Sequence, residues 1–158
     1  MQIREISPED NSELARVIKS CLEEFDAAVE GTMYTDPSLH KLYEWFDKDR
    51  SRYWVIADEN QVYGGCGIAP LPGESEKVAE LQRMFLSPEA RGKGFAGELM
   101  ELCLDFARKE GFSKIYLETL PQMTAAQKLY TRYGFKRIDS SMGSTGHNHC
   151  DVNMLMDC

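Results

Sequence analysis

Apolar residues recur along this chain in two periods, and the switch between them lays out the elements. Gln2 to Ile6 alternates polar and apolar up to Ser7-Pro8, the pattern of a short strand. From Glu9 to Val29 the apolar positions are Leu14, Val17, Ile18, Cys21, Leu22, Phe25 and Ala28. These steps of three and four predict a helix with Ser7 as N-cap, Pro8 in its first turn and Gly31 as its stop. Leu39, Leu42, Tyr43 and Phe46 repeat the helical period after Asp36-Pro37. The period then shortens. Tyr53–Ala57, Val62–Ala69 and Val78–Leu86 predict three strands, antiparallel neighbours because short turns join them. Gly64, Gly65 and Gly67 inside the second of these predict a bulge or a close backbone approach. Helical spacing returns over Gly92–Glu110, with Phe95, Leu99, Leu102, Cys103 and Phe106 on one face and Gly111 at the C-cap. Lys114–Leu120 reads as a strand, Thr124–Tyr133 as a short helix with Thr124 as candidate N-cap, and Phe135–Ile138 as a strand. Ser140–Asn148 reads as a loop and Asp151–Met156 as the last strand. The succession is that of an α/β or α+β fold. With no linker or repeat in 158 residues, it predicts one domain over residues 1–158.

Charge narrows the function. Acidic residues number 26 and basic residues 18, a net charge of −8. Such a surface repels nucleic-acid backbones and favours a cationic ligand. No apolar run is long enough for a membrane span, and Met1–Glu5 lacks the apolar core of a signal peptide, so no membrane association is expected. The cysteine count is odd and no C-x-x-C occurs, which predicts free thiols and a cytoplasmic location. Cys66 and Cys103 read as small core residues.

The sharpest local feature is Leu86-Ser87-Pro88-Glu89-Ala90-Arg91-Gly92-Lys93-Gly94-Phe95-Ala96, where a strand ends and a glycine-rich turn opens into a helix. Unpaired N–H groups at a helix start bind anions, and glycines let a ligand approach the backbone. Arg91 and Lys93 add positive charge, so a pyrophosphate suits the site. A tight turn with glycines for geometry alone accounts for the segment equally. The segment has neither the G-K-[ST] of a Walker loop nor the third glycine of the dinucleotide fingerprint. The second feature is Ala126–Phe135, where Tyr130 stands four residues before Gly134. A tyrosine hydroxyl is able to protonate a leaving group, although Tyr130 by itself reads as a half-buried packing residue.

Together, Arg-Gly-x-Gly-x-Ala after a strand and a later Ala-x-x-Leu-Tyr-x-x-x-Gly-Phe resemble the GNAT superfamily of acyl-CoA-dependent N-acetyltransferases, most specifically from Ala79 to Phe135. The resemblance implies a single-domain GNAT-like fold with a central mixed, mostly antiparallel sheet flanked by helices. It implies that Arg91, Gly92, Lys93, Gly94, Phe95 and Ala96 hold the CoA pyrophosphate. It implies that Met84, Phe85 and Leu86 on a splayed strand pair with the pantetheine arm, and that Tyr130 protonates the departing thiolate. Met123 stands where many members carry a CoA-contacting asparagine, and that contact is expected to be missing.

The reaction implied is transfer of an acetyl group from acetyl-CoA, as co-substrate, to a primary amine of a small molecule or amino acid by direct attack through a tetrahedral intermediate. A peptide or protein amine, and a non-catalytic acyl-CoA-binding regulatory role, are the alternatives. An alkylammonium, with a pKa of about 10, must lose a proton before it attacks. Glu80 and, after it, Glu118 are the candidate bases, with solvated strand-end charges as the other reading. Tyr34, Asp36 and His147 are candidate acceptor-site residues, Asp36 reading also as an N-cap beside Pro37. His147, His149 and Cys150 offer too few convergent ligands for zinc, and no metal is expected. Similar proteins often form homodimers, but no interface is legible in this chain.

Overall fold

The computed structural model describes residues 1–158. Seven strands form one sheet, β1 (Gln2–Glu5), β2 (Arg52–Ala57), β3 (Val62–Pro70), β4 (Val78–Leu86), β5 (Lys114–Thr119), β6 (Lys136–Ile138) and β7 (Val152–Asp157). Their order across the sheet is β1-β2-β3-β4-β5-β7-β6. Every neighbouring pair is antiparallel except β4 and β5, which run parallel. The period-two pattern of β2 shows how the layers form. Tyr53 and Val55 pack with Leu14, Ile18 and Leu22 of α1 (Asn11–Glu24) and with α2 (Leu42–Phe46) on one face. Trp54 and Ile56 pack with Leu99, Cys103 and Leu129 from α3 (Phe95–Lys109) and α4 (Thr124–Arg132) on the other. Cys66 and Cys103 are both fully buried there, as free thiols.

Several boundaries differ from the sequence pattern, each for a local reason. Helix α1 stops at Glu24, short of Val29, because Asp26 takes φ 54 and Ala27 N reaches back to Leu22 O at 2.7 Å. Ser7 caps the turn Pro8–Asp10 that leads into α1, and its N–H donates to the Asp10 carboxylate at 2.7 Å. The helical period after Pro37 divides into a 3-10 turn, Pro37–His40, and α2. Helix α3 begins at Phe95 instead of Gly92, since Gly92 and Gly94 stand at φ 69 and 89, outside helical space. Thr124 is the first residue of α4 and not its cap, the cap position being held by Met123 with no side-chain bond.

The parallel pair β4–β5 positions the site. Its register holds only for Val78↔Lys114, Ala79↔Ile115 and Glu80↔Tyr116. Past Glu80 the strands part, and β4 turns from buried to half-buried. A bulge bends β4 at this point. Gly65 faces Phe85 while Gly67 faces Gln82, so β4 carries one extra residue, and Arg83 absorbs it at φ 56. The facing glycine run allows this approach. A Cβ at Gly64 would lie 2.1 Å from Phe85 O, and one at Gly67 would lie 2.6 Å from the Phe46 ring.

Candidate active site

The gap between β4 and β5 is a cleft with a wide outer end and a narrow inner end. The outer end, about 840 Å³, is walled by the end of β4, the glycine loop and the start of α4. The inner end, about 80 Å³, lies between Glu80–Phe85 and Leu117–Leu120. Met84, Phe85, Met123 and Ala126 line both, so the two adjoin at a waist formed by these residues.

The outer end is built from main chain. Gly92 and Gly94 hold positive φ that other residues adopt only with strain, and a Cβ at either would meet nothing within 4 Å. Their open side faces solvent space that a ligand can fill. The first bond of α3 runs from Glu98 N to Gly94 O at 3.1 Å, which leaves the N–H groups of Phe95, Ala96 and Gly97 without an intrahelical acceptor. Three orphan donors at the positive end of a helix of 15 residues suit a phosphate group. Arg91 does not supply the charge its sequence position promised. Its guanidinium donates to both Glu24 oxygens (2.7 and 2.8 Å), and Nε donates to Leu86 O at 2.9 Å. Arg91 thereby fastens the loop to the end of α1, and the exposed Lys93 is the loop's unpaired cation.

The inner end is built from side chains. The bulge sets Gln82 and Arg83 on the same face of β4, where Gln82 Oε1 accepts from Trp45 Nε1 (3.1 Å) and from Arg83 (2.9 Å). Arg83 also donates to Ser38 Oγ at 2.9 Å, and its guanidinium lies 4.6 Å from the Trp45 ring centre. Glu80 is only 7% exposed. Burial and the neighbouring Glu118 charge push its carboxyl up to about 7, against the opposing pull of Arg83 and His147. Glu118 accepts the Tyr116 hydroxyl on Oε2 at 2.9 Å, while its buried Oε1 has no partner within the protein. Tyr130 reaches the waist from α4, its hydroxyl 3.8 Å from Met84 Sδ. Burial raises the Tyr130 phenol, so it stays protonated at neutral pH and is available as a donor.

Asp36 caps the 3-10 turn, accepting from Ser38 N at 2.8 Å and Ser38 Oγ at 2.5 Å. Its other oxygen accepts from His147 Nε2 at 2.6 Å and lies 3.7 Å from Arg83. Burial opposes the Asp36 charge, but the bonds from His147 and Ser38 together with Arg83 hold its carboxyl well below the usual range. Asp36 is therefore fully committed inside the protein and is not a free contact for an acceptor.

The structure brings Glu80, Glu118, Tyr130 and His147 to one cavity, with Met84 and Phe85 at its waist. Tyr34 does not join them. Its hydroxyl donates to Glu23 at 3.2 Å, on the side of α1. His149 is exposed, and Cys150 lines the cavity without it. Sequence reasoning missed Arg83, Gln82 and Trp45. The one signal that pointed toward them was the glycine run of β3, whose predicted bulge falls opposite Gln82–Phe85.

Residues 15–135 match the Acetyltransferase (GNAT) family. The chain is 40% identical over 156 residues to the uncharacterized N-acetyltransferase YjgM of Escherichia coli (strain K12), spanning 98% of this chain and 93% of that one. It is 36% identical over 110 residues to the N-acetylaspartate synthetase of Xenopus tropicalis, spanning 70% of this chain and 40% of that one. A GNAT-family acetyltransferase of Staphylococcus aureus Mu50 superposes with a TM-score of 0.84 at 19% identity, covering 99% and 98% of the two chains. The PaiA N-acetyltransferase of Thermoplasma acidophilum, solved in complex with coenzyme A, superposes at 0.74 with 18% identity and coverage of 99% and 98%. These two structures bear on the fold alone.

Proposed function

Because the chain belongs to the GNAT family of acetyltransferases, we propose that it transfers the acetyl group of acetyl-CoA to the primary amine of a small molecule or amino acid. The observation that carries this reading is the single cleft, with orphan N–H donors at one end and a buried, proton-poised carboxylate at the other. The donor's pyrophosphate lies against the N–H groups of Phe95–Gly97 and its arm runs along Met84–Leu86. The acceptor amine enters the inner end. There Glu80 takes the ammonium proton, since a group with a pKa near the working pH both accepts and releases protons efficiently. The amine attacks the thioester directly, and Tyr130 returns a proton to the leaving thiolate.

Three further features support a small cationic acceptor. The cavity is about 80 Å³, which admits an amino group on a slim chain. Its two carboxylates, Glu80 and Glu118, face a single cation, Arg83, that Asp36 already partners. A relative is named for making N-acetylaspartate, which favours amino acids among the amines to be tried.

The test is acceptor-dependent thiol release from acetyl-CoA over a panel of amines and amino acids, with thermal unfolding read alongside. Donor binding to the native state must raise the melting temperature. Turnover with at least one amine is expected, and Tyr130→Phe is expected to lower kcat by about 100-fold while keeping the donor-induced shift. A melting shift without release over the whole panel overturns the small-amine assignment.

A further inference from the structure

A buried base must discharge its proton before the next turnover. Glu80, at 7% exposure, meets little bulk water. The ionisable groups that line its cavity are Arg83, Glu118, Tyr130, His147 and Cys150. Most of them are poor carriers. A guanidinium does not give up its proton in a protein. Burial raises the Tyr130 phenol and pushes the Cys150 thiol up to about 12, so neither exchanges protons at neutral pH. Glu118 accepts the Tyr116 hydroxyl on one oxygen at 2.9 Å, and its other oxygen is buried away from solvent. His147 differs in chemistry and in place. An imidazole is the side chain that ordinarily takes and gives a proton near neutrality. The His147 side chain retains 18% exposure while it also lines the cavity that holds Glu80.

The orientation of this ring is fixed. Asp36 remains a carboxylate, so the 2.6 Å contact places a proton on His147 Nε2 and leaves Nδ1 as the lone-pair nitrogen of the neutral ring. Asp36 is itself anchored by Ser38 and Arg83, which ties the ring to the bulge of β4. The loop that carries His147 is fastened on the same side, with His149 N donating to Gly31 O at 3.3 Å.

We propose that His147 is the proton exit of the acceptor site and that Asp36 is its positioning residue. The proposal rests on the acetyltransferase reading above. In the step, the ammonium gives one proton to the Glu80 carboxylate and becomes the free amine. The neutral Glu80 carboxyl then gives that proton to His147 Nδ1, directly or through water. This forms an imidazolium beside the Asp36 carboxylate and restores the Glu80 carboxylate. The imidazolium loses the proton from Nδ1 to solvent at the rim, and the site returns to its starting state. The charged and titratable groups around His147 are Asp36, bonded to the ring, and Glu80, Arg83, Glu118, Tyr130 and Cys150, which line the same cavity.

The experiment compares wild type, His147→Gln and His147→Ala in steady-state acetyl transfer, with the acetyl-CoA melting shift as a separate readout. Glutamine keeps an amide donor for Asp36 and so preserves the latch without a titratable ring. The expected result is a kcat lower by about tenfold or more in His147→Gln, with the acceptor KM and the donor shift little changed. Added imidazole is expected to restore turnover to His147→Ala, in proportion to its neutral form. Wild-type kcat in His147→Gln, or a loss in His147→Ala that imidazole does not repair, would overturn the proposal and leave Glu118 or water as the exit. Absence of turnover in the wild type with every amine would instead count against the acetyltransferase assignment to small amines, which keeps the two failures apart.

Discussion

At its outer end the cleft offers a ligand main-chain N–H groups on a frame of glycines. At its inner end it offers carboxylates, a phenol and an imidazole drawn from four separate stretches of chain. The outer end has no titrating group in its donor set, and its geometry is held by φ values of 69 and 89 at Gly92 and Gly94. The inner end is the reverse. Its backbone strain sits on an arginine, and its chemistry depends on burial shifting side chains away from their ordinary behaviour. Main-chain donors do not change with pH and suit the constant part of a reaction, the donor's pyrophosphate. Titratable side chains suit the part that must move protons.

The harshest test of this contrast is Gly94→Val. A β-branched residue at φ 89 is strained by about 1–2 kcal/mol, and its side chain enters the space where the donor would lie. Loss of the acetyl-CoA melting shift and of turnover together is the expected outcome, with fold retained by circular dichroism. A retained shift would mean that the donor is held elsewhere.

Glu80→Gln should divide the two ends instead. Turnover is expected to fall by about 100-fold with the donor shift intact, and the acidic limb of kcat/KM near pH 7 should vanish. Stability should move the other way. A carboxyl raised to about 7 binds its proton more tightly in the folded than in the unfolded chain. Its contribution is therefore present in full below the ordinary carboxylate range and is lost as pH rises toward 7. Above pH 7 the wild type carries a cost of about 3 kcal/mol that glutamine removes. Urea titrations at pH 5 and pH 8 should show the variant's advantage growing with pH. An equal advantage at both pH values would mean that Glu80 is not held in its raised state.

The smallest effect is expected at Glu24→Gln. The Arg91–Glu24 pair is partly exposed, with 35% and 43% of the two side chains accessible, and such pairs contribute up to about 1 kcal/mol. Donor affinity should weaken by no more than about fivefold, as measured by calorimetry. A larger loss would show that the loop's fastening to α1 matters more than its glycines.

The two ends also differ in how far the sequence revealed them. The glycine loop could be picked out from local spacing, while Met84–Leu86 and Tyr130 were named through the family resemblance. A strand, a turn needing positive φ and a helix start are neighbours in the chain. Glu80 and Glu118 were legible as candidates, since alternation on adjacent strands sends both to one face. Which of them is buried enough to act near neutrality was not, because burial depends on what the loops place above the sheet.

What the sequence determined by itself is the order of elements, the family motif and the glycine turn that opens α3, all of them set by periodicity and backbone preference within a few residues. Only the tertiary structure decided the rest. Arg91 turned to Glu24, because the end of α1 lies beside the loop. Arg83 took φ 56, a conformation that no side-chain pattern encodes, at a bulge that the close-lying Gly64–Gly67 of a neighbouring strand leave room for. Asp36 and His147, 111 residues apart, met in one hydrogen bond. Local preferences carry no record of such contacts, which arise when separate elements compete for the same buried volume.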